Sequence, residues 1–342
     1  MAKLIVNEVT IQGRLARADY RKGMSKAGKP FLSATLTLDV EGHQLRVESF
    51  SMQYKADGVT ESTNYTGLMT IFNEANALHK TMKEVGEDKA EEFQEGIVEN
   101  IDECTAIKCS NWNGFKYCRM VENAYAKDGN IVKNTRVEFA YCNRVDENKV
   151  EYKPQRDFEL CGAVKVPPVV MEDIDGNEYM QLTIVIPNYV EAYGDRKESV
   201  TLNEVVLQSH DPSAFAYIED NFEANSFVYV NGQMVRLVER FEVETMDDES
   251  RGFGRTVKHQ ANYQTKIIDH MEILGGYVLE ADEIEECPAF NMKLWEEAME
   301  VKKQKEEEML NGGEQTPKQV GFGRGNEPKK ANKGGGNVRL PF

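Results

Sequence analysis

Hydrophobic positions in this chain recur mostly at every second residue, and the strands they predict fall into two similar sets. Residues 4–15 alternate, and 17–29 then read as a polar, basic turn. Phe31, Ala34, Leu36, Leu38 and Val40 mark a second strand, Glu41-Gly42-His43 signals a hairpin, and 45–54 is a third strand. Thr66 is placed to cap a helix whose apolar residues Met69, Phe72, Ala75, Leu78 and Met82 recur at three and four. After a charged stretch at 84–94 come three short strands over 104–112, 115–125 and 136–145, turning at Asn113-Gly114 and Asp128-Gly129-Asn130. The polar stretch 146–156, which contains Pro154, predicts a domain boundary.

The second set repeats this plan. A strand over 158–166 is expected to stop at Pro167-Pro168, Asp175-Gly176 turns into 178–186, and 197–208 is the third strand. Ser209-His210-Asp211-Pro212-Ser213 starts a short helix carrying Phe215, Ile218 and Phe222. Residues 227–243 alternate through Val228, Val230, Val235 and Leu237, and a polar loop leads to a last strand over 263–274. The sets also echo in sequence: Val9-Thr-Ile-Gln-Gly13 matches Phe158-Glu-Leu-Cys-Gly162, and Gly28 before the second strand matches Gly176. Strand, turn, long strand, third strand, helix and further strands is the order a five-stranded OB-type barrel requires, and such barrels mostly bind oligonucleotides or oligosaccharides. The expected fold is therefore mainly β, with tandem OB-fold barrels over 1–150 and 155–279. An acidic helical segment follows over 280–310, its residues 288–310 reading as one solvated helix with Phe290, Leu294, Ala298 and Val301 along one side. The Gly-, Lys- and Asn-rich residues 311–342 predict a disordered basic tail.

Charge complicates this reading. The chain of 342 residues carries a net charge of −17, with twelve acids against four lysines over 280–314 and six Lys/Arg against one Glu over 315–342. Phosphate contacts supply most non-specific affinity for nucleic acid, so binding on such a body requires a locally basic groove. No stretch approaches the ~20 apolar residues of a membrane span, so no membrane partner is expected. The first residues lack a signal peptide's apolar run. Six cysteines in a chain of this length do not make a disulfide scaffold, which makes a reducing cytoplasm the expected compartment.

Single-strand binding without sequence preference needs cations for the backbone and aromatic faces for the bases. In the first barrel the candidate stacking residues are Phe50, Tyr54, Trp112, Phe115 and Tyr117, with Trp112 and Phe115 expected at a hairpin tip. The candidate cations there are Arg21, Lys22, Lys26, Lys29, Arg46, Lys108, Lys116 and Arg119. In the second barrel, Arg251-Gly-Phe253-Gly-Arg255-Thr-Val-Lys258 lies in the loop between the fourth and fifth strands, which often grips oligonucleotides in OB folds. The tail repeats Gly-Phe-Gly-Arg at 321–324.

Cys104, Cys109, Cys118 and Cys142 lack the tight pair of a zinc hairpin and read as packing residues. The segment 171–178 resembles a calcium loop only in part and reads as a hairpin turn. The five histidines fall in separate elements with no recurring acidic partner, and the usual enzyme signatures are missing. No catalysis, metal or cofactor is expected.

The element order, the stretch Tyr217-Ile-Glu-Asp-Asn-Phe-Glu-Ala-Asn-Ser-Phe-Val-Tyr-Val-Asn-Gly232 and the tail ending Leu340-Pro341-Phe342 together resemble bacterial and phage single-stranded DNA-binding proteins. In that family a short helix and polar turn lead to a strand of the form V-x-V-x-G, here Val228, Val230 and Gly232. The family's tail ends in an acidic run and a Pro-Phe pair that docks on replication and repair enzymes. Here the pair is present, but Gly334-Gly-Gly-Asn-Val-Arg339 replaces the acids. The resemblance implies sequence-independent single-stranded DNA binding in replication, recombination or repair. It also implies recruitment of replication or recombination proteins through Leu340, Pro341 and Phe342, and it is compatible with a homo-oligomer. The alternative is a structural or assembly protein, as in a virion, that uses OB-like barrels for protein docking.

Overall fold

The computed structural model describes residues 6–25, 28–55, 57–71, 106–110, 118–139, 141–173, 175–192, 197–243 and 262–311. The first set comprises β1 (Asn7–Met24), β2 (Pro30–Val40), β3 (His43–Met52), a helix α1 over 63–71, β4 (Ala106–Ser110), β5 (Arg119–Lys127), β6 (Asn130–Glu138) and β7 (Tyr141–Arg144). The second comprises β8 (Gln155–Glu172), β9 (Glu178–Val190), β10 (Ser199–Ser209), α2 (Pro212–Asn221), β11 (Phe227–Val243) and β12 (Asn262–Val278). It is followed by α3 (Ala281–Glu286), a 3-10 turn (Pro288–Phe290) and α4 (Met292–Asn311).

The alternation seen in sequence is what closes the barrels. On β3, Leu45, Val47, Ser49 and Ser51 are buried while Arg46 and Phe50 face out. In the second barrel β8 pairs β9, β9 pairs β10, β10 runs parallel to β12, β12 pairs β11, and β11 returns to β8. This is a closed five-stranded barrel in the OB order, with α2 between its third and fourth strands. Asp211 caps α2 by accepting from the Ser213 backbone N–H (2.9 Å), and Ile218 and Phe222 plug the core.

The first barrel follows the same order through β1, β2, β3, β6 and β5, with β3 and β6 parallel. Its fourth strand is split. Both β4 and Cys118, just before β5, pair along β1, at Gln12↔Lys108 and Val9↔Cys118. Thus β4 and Cys118 share β1 as a partner, and the turn expected at Asn113-Gly114 lies outside the described residues. The hairpins at Glu41-Gly42 and Asp128-Gly129 are as expected, each turning through positive φ (54°, 85°; 51°, 76°).

Gly13 and Gly162 explain the sequence echo. A Cβ on Gly13 would lie 2.6 Å from the Asp39 carbonyl oxygen, and one on Gly162 would collide with the Val185 carbonyl. At both points the first strand crosses close over the second, and only glycine fits.

Three expectations change. Residues 17–24 continue β1 as a hairpin arm paired with β2, from Arg17↔Thr37 to Met24↔Pro30, because the β2 ladder holds them extended although Arg21, Lys22 and Met24 are exposed and follow no hydrophobic alternation. β8 runs through Pro167-Pro168, since register shifts at Val164/Val166 and Val166/Val169 leave the prolines owing no ladder hydrogen bond. α1 begins one turn before Thr66, whose backbone N–H donates to the Ser62 carbonyl (3.0 Å); Asn64, Tyr65, Leu68 and Ile71 form its buried face. Its continuation through Phe72, Ala75, Leu78 and Met82 lies outside the described residues.

The two barrels join through their first strands. Asn7–Gln12 of β1 pairs antiparallel with Gln155–Leu160 of β8, centred on Val9↔Phe158. Those two residues are equivalent in the echo, so the register is that of a self-complementary two-fold contact.

The acidic segment is not a solvated helix. Phe227, Phe290 and Trp295 pack with ring centroids 4.9–6.2 Å apart, and Ala298 is buried with them against the second barrel, whereas Val301 is exposed. Further along α4, Lys302 bonds Glu122 of β5 (2.5 Å) and lies 3.2 Å from Glu204 of β10. Lys133 of β6 meets Glu204 and Glu306 at 2.8 and 2.7 Å, and Lys165 reaches Glu204 at 2.7 Å. Burial alone would raise the Glu204 carboxyl, but hydrogen bonds from Lys133 and Lys165 and the charge of Lys302 bring it down to about 2.

Gly162→Ala is expected to cost about 1–3 kcal/mol in urea unfolding, because the atom its methyl meets is backbone and cannot rotate away. For Glu204→Gln the expected loss at neutral pH is about 1–3 kcal/mol. The folded pKa of Glu204 is depressed, so its contribution is full above the ordinary value of 4.5 and fades as pH falls towards about 2. Unfolding curves of wild type and variant measured across that range should therefore converge.

Candidate nucleic-acid interface

The outer face of β1, β2 and β3 is the surface where OB barrels take oligonucleotides. The registers Arg21↔Ser33 and Ser33↔Phe50 place Arg21 and Phe50 in one row on that face. The next row is Gly23, Phe31 and Met52. Phe31 lies over Gly23, where an added Cβ would meet the ring at 2.7 Å, and it packs on Phe50 at 5.2 Å and 33°. Phe50 remains 58% exposed, so this pair offers an open aromatic surface. Arg46 stands on the same face of β3, four residues from Phe50 and exposed.

Three acids on this face have cationic partners. Asp19 pairs with Arg17 (2.7 Å), Glu48 with Arg136 (3.4 Å), and Glu138 with Arg136 and Arg119 (2.9 and 3.2 Å). Among the described residues no carboxylate pairs with Arg21, Lys22, Lys29 or Arg46, all of them exposed. Lys22 falls on the opposite pleat from Arg21, and Lys29 lies in the turn of the β1–β2 arm. Tyr54, 37% exposed, sits just past β3 in a bridge to Glu61. The structure thus brings Arg46 and Phe50 onto one face with Arg21 and Phe31, and puts Lys22, Lys29 and Tyr54 around its margins. Phe31 was hidden in sequence among core-facing strand residues, and only the close approach at Gly23 reveals it.

Trp112, Phe115, Lys116 and Tyr117 lie outside the described residues, as do Arg251, Phe253, Arg255, Lys258, Leu340, Pro341 and Phe342. Val243 and Asn262 are register partners, so the chain enters and leaves the segment 244–261 side by side.

The corresponding face of the second barrel differs. Its row is Val169, Gln181 and Gln208, with Val166, Val170, Met171 and Val206 exposed nearby. Two of its cations are engaged, Lys165 with Glu204 and Lys266 with Asp175 (2.8 Å). A cleft of about 290 Å³ between Lys133, Thr135, Lys165 and Glu204 is likewise charge-balanced.

Two chemical expectations also meet the structure. Cys109 and Cys142 face each other across β4 and β7, with Cys118 beside them. A hydrogen bond with Cys118 and burial hold the Cys109 thiol far above its usual range, and burial pushes Cys142 up to about 12. Cys104 lies outside the described residues. The histidines, in contrast, do share an acid: His210 and His270 lie 2.6 and 3.2 Å from the same oxygen of Glu272. Sixty residues separate the two rings, which is why sequence spacing concealed them.

The YorF family matches residues 120–312, from β5 through α4 and more than half of the chain. No curated protein matches the sequence. Among solved structures the chain is similar to the single-stranded DNA-binding protein from Thermus aquaticus. A deletion mutant of that protein aligns at 12% identity and a TM-score of 0.42, covering 82% of this chain and 98% of that one. The wild-type form aligns at 12% and 0.40, covering 80% and 93%. A Plasmodium falciparum SSB in complex with ssDNA aligns at 13% and 0.25, covering 38% of this chain and 100% of that one.

If Phe50 is held out for a ligand, the fold should hardly need it. Phe50→Ala is expected to change stability by less than about 1 kcal/mol, the loss of one exposed aromatic pair. Urea unfolding measures this directly, and a loss of several kcal/mol would make Phe50 a core residue.

Proposed function

This chain belongs to the YorF family, and we propose that it binds single-stranded DNA without sequence preference through the β1–β3 face of its first barrel. The observation that carries the reading is the Phe31–Phe50 pair, open to solvent and flanked by Arg21 and Arg46, which have no carboxylate partner among the described residues. Bases stack on the rings, each such contact contributing about 1–3 kcal/mol, and the two arginines take the backbone charge. Every base has a π-face, so the mode tolerates any sequence. Lys22, Lys29 and Tyr54 extend the path at its margins. Trp112, Phe115, Lys116 and Tyr117, and Arg251, Phe253, Arg255 and Lys258 in the second barrel, are proposed to add contacts from the segments next to β4 and between β11 and β12.

The setting proposed is DNA replication, recombination or repair in a bacterial or phage-infected cell. The first barrel is taken to end near residue 150 and the second to span 155–279, with the tail beyond 311 recruiting partner enzymes through Leu340, Pro341 and Phe342. The terminal Pro-Phe pair supports this part. A protein-docking role for the barrels is the second reading, favoured by the exposed Val166, Val169, Val170, Met171 and Val206.

Fluorescence anisotropy of labelled oligo-dT at low and high salt, with duplex as competitor, tests the proposal. Tight binding that salt weakens and duplex does not displace is expected. Phe50→Ala should weaken it about 5- to 150-fold, the equivalent of 1–3 kcal/mol. Arg46→Gln should lower the salt slope by about 0.7, one single-strand phosphate contact. No binding at low salt would overturn the reading and leave the barrels as protein-docking modules.

A further inference from the structure

His210, His270 and Glu272 meet on the second barrel, where β10 ends beside β12. β12 carries His270 and Glu272 two residues apart, hence on one face. β10 runs parallel to it with Gln208 opposite Glu272, which delivers His210, two residues further on, to the same place. The backbone N–H of His210 donates to Glu272 Oε1 (2.9 Å), and this fixes the carboxylate. The other oxygen, Oε2, faces both imidazoles, 2.6 Å from His210 Nδ1 and 3.2 Å from His270 Nε2. All three donor atoms lie within 4.8 Å of one another.

The surroundings hold these groups in place. Tyr179 stacks on His210 with ring centroids 5.4 Å apart and 26° between planes, and the two imidazoles are 4.7 Å apart. Beneath the triad, a Cβ on Gly232 would collide with the Glu272 carbonyl, so β11 is pressed directly against the β12 backbone there. The site is half-open, with side-chain exposures of 35%, 15% and 18% for His210, His270 and Glu272.

Two imidazole nitrogens and one carboxylate oxygen are the donor set of a zinc site with three protein ligands and one position left for water. Bond lengths of about 2.0–2.2 Å put tetrahedral ligand atoms about 3.3 Å apart. The separation of Glu272 from His270 is already close to that. His210, in the two-residue link between β10 and α2, needs to withdraw by less than about 1 Å to match. A backbone N–H that orients the ligating carboxylate through its other oxygen is the outer-shell support such sites use. We propose that His210 Nδ1, His270 Nε2 and Glu272 Oε2 bind a divalent transition-metal ion of the zinc class, with one coordination position open to solvent. The ion ties the exit of β10 to β12. The proposal is independent of the nucleic-acid reading.

The test uses the full chain, stripped with chelator and titrated with Zn²⁺ against a chromophoric competitor, and with Co²⁺ followed by its visible absorption. One equivalent of Zn²⁺ at micromolar affinity or tighter is expected, weakened at least tenfold in both His270→Gln and Glu272→Gln. Circular dichroism and melting of each variant in chelator should match the wild type. Should either variant fail to fold, His210→Gln serves instead, since its ring is the most exposed. No wild-type binding at micromolar Zn²⁺ would overturn the proposal. So would folded variants that keep the same equivalent, since the ion would then be held elsewhere.

Discussion

The whole arrangement depends on the antiparallel pairing of β1 with β8. Each strand opens a barrel, and each leaves a length of backbone that its own barrel does not use on that side; an unpaired edge of this kind invites association with other chains. Here the two edges satisfy one another over Asn7–Gln12 and Gln155–Leu160. The connection between the barrels is fastened to the same strand: Arg14 grips Glu147 through two hydrogen bonds (2.6 and 2.9 Å) and lies 4.4 Å over the Tyr152 ring. Side by side with the ladder, Asn7 donates to Asn188 (2.5 Å) and exchanges hydrogen bonds with the Met120 backbone. Glu122 and Asn203 reach across to backbone amides of Glu204 and Glu122 in turn. One pairing thus sets the geometry for a second contact, and the helix α4 closes over it with Lys302.

That geometry also resolves the conflict between a net charge of −17 and a proposed polyanion ligand. The acids at the interface are balanced where they stand, Glu122, Glu204 and Glu306 by Lys133, Lys165 and Lys302. Coulomb energy falls with distance and is screened beyond about 8–10 Å in salt, so an approaching strand responds to the local charge of a face and hardly to the total. On the β1–β3 face Asp19, Glu48 and Glu138 have cationic partners, and among the described residues no carboxylate pairs with Arg21 or Arg46.

Period-two hydrophobicity, hairpin turns and the glycine echo were legible because each is a local rule with a local cause. Val228 and Val230 are fully buried and Gly232 sits at a bulge against β12, so the V-x-V-x-G resemblance reports barrel construction and carries no ligand information by itself. What stayed hidden was decided by tertiary contact. The arm at 17–24 is polar yet a strand because β2 pairs with it. Pro167-Pro168 falls in a bulge that only the β9 register defines. Trp295 turns an acidic helix into a packed one, although charge counting alone makes it solvated. The candidate site was half visible: Arg46 and Phe50 were identifiable as a cation and an aromatic on an alternating strand, whereas Phe31 and the His210–Glu272–His270 cluster require strands to be set side by side.

The two barrels share a plan and differ where it does not constrain them. Gly13 and Gly162, or Val9 and Phe158, cannot change character without disturbing strand crossing or the shared ladder. Outward positions on the second and third strands carry no such burden. In the first barrel they hold Phe50 and Arg46; in the second the matching register places Gln208 and Glu204, and Glu204 is spent on the interface. The carboxylate that fastens the barrels therefore occupies the position that Arg46 holds on the other face. An interface anchored there removes the second barrel's best place for a phosphate-binding cation. Joining the barrels through that position concentrates the proposed contacts made by strand residues on the first barrel and leaves the second to contribute through the segment between β11 and β12.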